Sequence, residues 1–324
     1  MLNRKNFLKV LLASLALAAS GAGCAQAFPS KPVRLILGAP AGTAPDTAAR
    51  IVGEKLAALW GQSVVVENKP GVGGMLAMDF VKAAPADGHT LMFAHAGAVL
   101  VTPKFIKAAK YDPVNDFTTL GYVADSPMII VAGNEVAEKT LPDMLKFAKA
   151  NPGKIALGST EQSTLPFLVG HGIAQTTGTT YLHVPFNQPS QAMQALVKGD
   201  VQYYVDGIAP LLPLIKAGRI RAIATTTDRA LPGLEGIPLV KDAVPGYVAV
   251  GWFAVLGPKG MAAELATKIN HDLNQVLAME EVATKMRDVS LFANPKSQAD
   301  AVSFIKVEVD KWTAVIKKAG LEPI

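Results

Sequence analysis

The stretch KPVRLILGAPAGTAPDTAAR, residues Lys31 to Arg50, decides the fold, because it predicts a strand, a breaker-rich loop and a helix in succession. Apolar residues alternate over Val33 to Leu37, Gly and Pro recur from Gly38 to Pro45, and apolar residues at helical spacing resume at Ala48. The loop therefore lies at a helix N-terminus, where free backbone N–H groups and the helix dipole favour a carboxylate or a phosphate.

Within this loop, the residues predicted to contact a ligand are Ala39, Ala41, Gly42, Thr43 and Asp46. Asp46 has two interpretations. In the first turn of a helix, a carboxylate offsets the helix dipole, and it can equally select among ligands that approach the loop.

Residues 1–27 predict a secretory signal peptide, so that the mature chain begins near Phe28 in the periplasm. Three basic residues precede an apolar run from Val10 to Ala19, and Ala25-Gln26-Ala27 forms an A-x-A cleavage site. The run is shorter than the ~20 residues of a membrane span, which disfavours a membrane anchor. A lipid anchor on Cys24 is the other alternative, disfavoured because Gly21 stands where a lipobox has Leu.

Composition limits the possible partners and chemistry. The full chain has 324 residues with 31 basic and 26 acidic side chains. Removal of the signal peptide takes away three basic residues, which leaves 28 basic and 26 acidic side chains in the mature chain. No basic block suggests nucleic-acid binding. The only cysteine is Cys24, so the mature chain is expected to lack disulfides and cysteine chemistry. We expect a monomer.

Strands and helices alternate along the chain, which predicts an α/β protein. The predicted strands are Val33–Leu37, Val64–Glu67, Thr90–Ala94, Met128–Val131, Ile155–Gly158, Tyr181–Val184, Gln202–Val205, Ile220–Thr225 and Trp252–Leu256. The clearest predicted helices are Asp46–Trp60, Pro142–Ala150 capped by Thr140, Pro189–Lys198 and Ala262–Leu277.

The segment 128–247 has its own βαβ pattern, so we expect it to form a second domain inserted into a first domain made of 28–127 plus 248–324. Two strands that cross between the domains would serve as the hinge. The ligand cleft would lie between the domains, at the carboxyl ends of the strands.

Two further loops of the first domain are expected to reach this cleft. Gly73 and Gly74 follow a strand and open a helix, where they could admit an anion, although tight helix packing also explains them. Leu76 stands where a dinucleotide fingerprint requires a third glycine, so no nucleotide cofactor is expected. The second loop is His95-Ala96-Gly97, which follows the strand Thr90–Ala94.

In the second domain, hydroxyl residues and one acid follow predicted strands. Ser159, Thr160, Ser163 and Thr164 precede a helix, so each could contact a ligand or cap that helix. Asp206 follows the strand Gln202–Val205, where a turn or capping role is as plausible as ligand contact.

The mature chain resembles the solute-binding receptors of the tripartite tricarboxylate transporters, also called Bug proteins. Its order and spacing of short motifs carry the resemblance: Phe28-Pro-Ser-Lys-Pro-Val-Arg, Pro40, Gly42, Asp46, Val65 to Gly74 (VVENKPGVGG), Tyr111-Asp112-Pro113, Asp116-Phe117, Asn151 to Lys154, His183 to Phe186, Ala217 to Ala222, Trp252-Phe253 and Gly257-Pro258.

The resemblance implies a type II periplasmic-binding-protein-like fold, with two α/β domains joined by two crossing strands. It also implies capture of a small organic carboxylate, either a di- or tricarboxylate or an aromatic acid, in the cleft between the domains. No cofactor is implied, and the ligand would be delivered to the membrane permease subunits. A receptor that signals to a membrane sensor is an alternative that the sequence leaves open.

Departures from the family pattern fall in the binding loops. Gly38 to Asp46 lacks an aromatic or second proline and one glycine of the usual P-F-P-P-G-G-x-x-D. Glu161 replaces a glycine in the second-domain loop, and Phe186-Asn187-Gln188 replaces Y-K-G. Phe186, with small side chains at Ala39 and Ala96, favours a flat or aromatic carboxylate over citrate.

A secreted hydrolase is the remaining alternative, with Asp46, His95 and Ser159 as a triad. Against it, Ser159 has no evident base in the sequence, and the chain has no G-x-S-x-G elbow. The five histidines lack metal-ligand spacing, so we expect neither a catalytic residue nor a metal site.

Overall fold

The computed structural model describes residues 28–160, 164–186 and 188–318. The predicted signal peptide, Cys24, Glu161, Ser163 and Asn187 lie outside the described residues. Within the described ranges, no helix is long and apolar enough to cross a membrane.

Strands and helices alternate as predicted, and their bounds follow in chain order. The strands are β1 (Val33–Leu37), β2 (Val64–Asn68), β3 (Thr90–His95), β4 (Phe117–Gly133), β5 (Ala156–Thr160), β6 (Leu182–Phe186), β7 (Tyr203–Gly207), β8 (Ile220–Thr225), β9 (Val250–Pro258) and β10 (Phe292–Ala293). The helices are α1 (Ala44–Trp60), α2 (Met75–Lys82), α3 (Thr102–Phe105), α4 (Leu141–Ala150), α5 (Leu165–Thr177), α6 (Pro189–Lys198), α7 (Ile208–Lys216), α8 (Val240–Ala243), α9 (Ala263–Leu277), α10 (Glu280–Asp288) and α11 (Gln298–Lys318).

The strands form two sheets that share β4, and each sheet with its helices is called a lobe. In the first lobe, β2, β1 and β3 are parallel, and β9 joins β3 to the first part of β4 in antiparallel pairing. The short β10 also pairs with this part of β4. In the second lobe, the last part of β4 pairs with β7 and β8, while β5 lies between β6 and β7.

Helices cover both faces of each sheet and supply the core. One face of the first sheet packs against α1, α9 and α10, and the other against α2 and α11. In the second lobe, α4 and α5 pack on one face, while α6 and α7 pack on the other. This layered arrangement confirms the predicted α/β class.

Local signals explain why several helices begin or end where they were predicted to. Thr140 caps α4, since its hydroxyl accepts a hydrogen bond from the Asp143 N–H at 3.3 Å. Gly61 and Gly199 end α1 and α6 in the left-handed conformation.

The largest difference from the sequence prediction is the length of β4. The expected strand Met128–Val131 is only the second-lobe part of a strand that begins at Phe117. Pro127 lies inside it, paired in register with Val250 at the start of β9. The chain therefore passes from the first lobe to the second along β4, and the cleft lies beside this crossing.

Candidate functional site: the interlobe cleft

The cleft between the lobes has a volume of about 560 Å³. Among the described elements, five helices of eight residues or more begin at its walls, namely α1 and α2 from the first lobe and α5, α6 and α7 from the second. This convergence follows from the topology, because the carboxyl ends of parallel strands and the N-termini of the following helices meet at one edge of a sheet.

Most of the residues predicted from the sequence are brought together here. Those that line the cleft are Ala39, Ala41, Gly42, Thr43, Gly73, Gly74, His95, Ala96, Gly97, Thr164, Phe186 and Asp206. Asp46 and Ser159 are buried outside its lining. Ser163 and the side chain of Thr160 are outside the described part of the chain, so ligand contact by either stays a prediction.

Asp46 holds the Ala39 to Gly42 loop from the side that faces away from the cleft. Its carboxylate accepts hydrogen bonds from the Gly42 N–H at 3.0 Å, the Asn68 amide at 2.9 Å and the Arg50 guanidinium at 3.1 Å. Asn68 also donates to the Ala39 carbonyl at 3.0 Å. Burial alone would raise the pKa of Asp46, but these donors outweigh burial and lower it. The charged form therefore holds the loop in place, and the Gly42 N–H points at Asp46.

Three first-lobe loops meet at Gly74, through the Gly38 backbone and the side chains of His95 and Ala98. A Cβ atom added at Gly74 would lie 2.9 Å from the Ala98 Cβ and 3.2 Å from the His95 Nε2, and one added at Gly38 would lie 2.7 Å from the Gly74 Cα. Gly74 also has a φ of +94°, which side-chain-bearing residues rarely adopt. Glycine is required here by both space and conformation.

His95 is a neutral connector between these loops. Its Nδ1 accepts a hydrogen bond from the Ala98 N–H at 3.3 Å, and its ring donates to the Gly38 carbonyl. Burial lowers the pKa of His95 to about 4, and the bond to Gly38 offsets only part of this effect. His95 therefore adds no positive charge to the cleft near pH 7.

Ser159 corrects one expectation from the sequence, because it does have a basic partner. Its hydroxyl lies 2.7 Å from the Nε2 of His183, a contact that strand pairing between β5 and β6 creates. The three members of the suggested triad nevertheless lie in different networks: Asp46 bonds to Arg50, His95 to the Ala98 N–H, and Ser159 to His183.

Asp206 is the only acidic side chain among the described residues that line the cleft. Its two oxygens accept hydrogen bonds from the Tyr204 hydroxyl and from the Gly207 N–H at 2.7 Å. Burial raises the pKa of Asp206, and these two donors oppose that effect.

Sequence reasoning missed several residues of the cleft, of which Ser126, Met193 and Trp252 are examples. Ser126 and Trp252 lie on strands that the sequence signals only as apolar runs or turns. Met193 lies on α6, one turn after the helix start. Its position at the cleft follows from tertiary packing alone.

The electrostatics of the cleft come mainly from the backbone. Among its described lining residues there is no Lys or Arg. Unpaired N–H groups in the first turn of a helix carry partial positive charge, so several helix starts around one space attract an anion without a basic side chain. The arrangement can hold a carboxylate.

The fold and the cleft together define a two-domain solute-binding receptor of the type II periplasmic-binding-protein class. The chain belongs to the tripartite tricarboxylate transporter receptor family, whose model matches residues 48–321. The resemblance stated above is confirmed, and the family is one of receptors, not of enzymes.

Known relatives cover nearly the whole chain. Protein BugT of Bordetella pertussis is 26% identical over 301 residues, which is 91% of each chain. The solved structure of R. palustris Rpa4515 with adipate is 27% identical, with a TM-score of 0.86, and covers 92% of this chain and 100% of its own. The periplasmic binding protein BugD is also 27% identical, with a TM-score of 0.83 and the same coverage.

Proposed function

We propose that this protein is a periplasmic receptor that captures a small organic carboxylate in the interlobe cleft and delivers it to a tripartite tricarboxylate-type permease. One observation carries the proposal. Five helix N-termini surround a cleft whose described lining has no cationic side chain. A backbone-built anion site of this kind suits a carboxylate, and the related R. palustris protein holds the dicarboxylate adipate.

The walls favour a ligand with an apolar body. Phe186, Met128, Met193 and Trp252 line the cleft, while Ala39 and Ala96 leave space at the opposite loops. Apolar and aromatic lining with few polar groups is typical of sites for small organic molecules. These side chains support a flat or aromatic acid over citrate, which has three carboxylates and little apolar surface.

Binding is proposed to favour a closed arrangement of two domains, 28–127 plus 248–324 and 128–247. The hinge would lie at the crossing of β4 near Pro127 and at the return of the chain near Ala249. There the Ala249 N–H donates to the Thr226 carbonyl, and the Thr226 N–H donates to the Met128 carbonyl, at 3.0 Å each. A ligand that touches both domains stabilises closure by the difference between its affinities for the closed and open states.

The proposed location rests on the signal pattern in residues 1–27, with cleavage before Phe28. Delivery rests on membership of a transporter receptor family. Uptake of a labelled acid by cells that carry the permease subunits, with and without this receptor, tests delivery separately from binding. Binding without receptor-dependent uptake would favour a sensory output.

A thermal-shift screen tests the binding step directly. Aliphatic, aromatic and amino-acid carboxylates are compared with sugars and metal cations, since a ligand that binds only the folded protein raises the melting temperature. We expect a rise with at least one carboxylate. The proposal fails if no carboxylate raises the melting temperature while a sugar or a cation does.

A further inference from the structure

The floor of the cleft contains a buried serine hydroxyl. Ser126 lies on β4, at the point where the chain passes between the lobes. It is 5% exposed and lines the cleft. Its hydroxyl makes no hydrogen bond with another group in the part of the chain that the structure describes. A buried polar group without a partner is unfavourable, so water or a polar group of the ligand would satisfy this hydroxyl.

A small space opens beside this hydroxyl because Gly207 has no side chain. Gly207 ends β7 and immediately precedes α7. A Cβ atom added there would lie 3.7 Å from the Ser126 hydroxyl oxygen and 4.0 Å from the Ala44 Cβ. Both distances are ordinary van der Waals contacts, so one atom of a ligand fits here. Gly207, Ser126 and Ala44 all line the cleft, and the space between them is called the Gly207 niche.

Neither backbone conformation nor packing requires glycine at position 207. Its φ of −59° and ψ of 150° are accessible to residues with a side chain, and an added Cβ would meet no clash. The helix N-cap position does not select glycine either, because serine, asparagine and aspartate are favoured there at least as much. Gly251 is different, since a Cβ added there would lie 2.7 Å from the Ser126 carbonyl oxygen. The missing side chain at Gly207 is therefore available to serve the ligand.

The niche lies where the two lobes meet. Ala44 is the first residue of α1 in the first lobe, whereas Gly207 precedes α7 in the second lobe. Ser126 belongs to the strand that passes between the lobes. A ligand group in this space would touch both lobes, so its contacts would add to the difference in affinity between the closed and open arrangements.

A hydroxyl group suits this niche in size and in chemistry. It has one heavy atom, so it fits the space that an added Cβ would fill. Displaced by about 1 Å towards Ser126, its oxygen would reach hydrogen-bond distance. A hydroxyl both donates and accepts, so it can bond to Ser126 whichever way the serine hydroxyl is turned. A methyl group would fill the same space and leave Ser126 without a partner.

We propose that the ligand of this receptor carries a hydroxyl group in addition to its carboxylate, and that this hydroxyl enters the Gly207 niche and bonds to Ser126. Ser126 and Gly207 are thereby assigned as residues that determine specificity within the cleft. The proposal rests on the proposed capture of an organic carboxylate there. It applies to monocarboxylates and dicarboxylates alike, since helices of both lobes begin at the cleft.

Calorimetry with matched acids tests the proposal. Benzoate is compared with its three hydroxybenzoate and three methylbenzoate isomers, hexanoate with 6-hydroxyhexanoate, and adipate with 3-hydroxyadipate. For at least one hydroxylated acid, we expect wild type to bind about fivefold more tightly than it binds the parent acid. This is the effect of one ordinary hydrogen bond between neutral groups.

Two variants separate the hydroxyl from the space. Ser126→Ala leaves the space but makes it apolar, so it should weaken the hydroxylated acid about fivefold without weakening its methyl analogue. Gly207→Ala fills the space, so it should weaken the hydroxylated acid about tenfold and the parent acid less than about twofold.

The double variant should bind the hydroxylated acid no more weakly than Gly207→Ala does, because the hydroxyl is already displaced. Gly236→Ala is the matched control, since a Cβ added at Gly236 has nothing within 4 Å. We expect Gly236→Ala to leave all affinities unchanged. Melting curves of each variant check that it folds.

The proposal is overturned if wild type binds no hydroxylated acid more tightly than its parent, because the niche then holds only water. It is also overturned if either variant lowers the affinities for a hydroxylated acid and its parent by the same factor, since the residue then shapes the cleft without reading the hydroxyl. Both results leave the proposed function intact as long as a carboxylate binds. Binding of no carboxylate at all would contradict the proposed function itself.

Discussion

His95 gives the protein a pH-dependent stability whose sign follows from its burial. Burial lowers its pKa to about 4, whereas an imidazole in an unfolded chain titrates near pH ~6.5. The unfolded state takes up the proton first on acidification. The stability contributed by the neutral ring is therefore fully present above about pH 6.5 and is lost as the pH falls towards 4, by up to ~3 kcal/mol.

We expect His95→Asn to unfold at lower urea concentration than wild type at pH 7.5 and to approach wild type at pH 4.5. Urea unfolding at both pH values measures the two free energies of unfolding. His171 and His183, whose pKa values burial also lowers, are present in both proteins, so their effect cancels in the comparison. A stability gap that is the same at both pH values would contradict this account of His95.

Gly74 is predicted to tolerate no side chain, for two separable reasons. Gly199 has a similar φ of +85° but nothing within 4 Å of an added Cβ, so Gly199→Ala tests conformation alone. We expect Gly199→Ala to cost about 1 kcal/mol of unfolding free energy. Gly74→Ala should cost ~2–4 kcal/mol, because it adds a clash with Ala98. Gly74→Ala should also lower the affinity for the ligand, whereas Gly199→Ala should leave this affinity unchanged. Equal costs in chemical denaturation would disprove the close-packing argument.

At the residue scale, the sequence predicted which residues lie at the cleft better than it predicted what each side chain contacts. Gly42 and Gly74 lie in loops that follow strands, and His95 is the last residue of β3, so the local pattern was enough to place all three in the cleft lining. The contact between Ser159 and His183 depends on strand pairing 24 residues apart along the chain. No local pattern encodes such a pairing, and the same reason explains why Ser126 was missed.

At the element scale, the start of α1 depends on Asp46 much as the start of α4 depends on Thr140. Both supply side-chain oxygens to N–H groups, but only α1 begins at the cleft. We expect Asp46→Asn to lower stability by about 1–3 kcal/mol and also to weaken carboxylate binding, because the Ala39 to Gly42 loop loses its support. Thr140→Ala should lower stability by about 1 kcal/mol without changing affinity.

Thermal melts and calorimetry on these two variants separate stability from binding. Thr140→Ala could instead lower the affinity for the ligand as much as Asp46→Asn does. In that case the loss of affinity comes from general destabilisation, and the proposal that Asp46 supports the Ala39 to Gly42 loop is wrong.

Elements that have clear start and stop residues in the sequence were predicted well, whereas elements whose bounds depend on tertiary contacts were not. The bounds of β8 and α6 match the prediction, since Gly218 and Arg219 precede β8, and α6 starts at Pro189 and is ended by Gly199. The first part of β4 was missed because Gly121 and Pro127 read as breakers, although β9 pairs with it on one side. The π-helical turn Gly97–Val101 was also missed, because its widened geometry arises from packing against neighbouring loops.

At the scale of the whole molecule, the lobes touch across the cleft through aromatic rings. Phe105 of α3 and Phe167 of α5 lie with ring centroids 6.3 Å apart in an edge-to-face arrangement. Such pairs are worth ~0.5–1.5 kcal/mol beyond area burial. If this contact forms only on closure, Phe167→Ala should lower affinity about two- to tenfold for every carboxylate alike.

Small-angle scattering of the free and ligand-bound variant measures closure independently of affinity. Because the contact would be absent from the open state, we expect free Phe167→Ala and free wild type to scatter alike, and the variant to need a higher ligand concentration to become compact. Compaction of both proteins at the same ligand concentration would show that this aromatic contact has no part in closure.

The central claim is that backbone amides at helix N-termini bind the carboxylate group of the ligand. Calorimetry of the acid that most raises the melting temperature, compared with its neutral carboxamide, tests this claim most directly. The two ligands have nearly the same shape, but only the acid carries the negative charge that the helix starts favour. We predict that the carboxamide binds at least about a hundredfold more weakly, and equal affinity for the two would contradict the account.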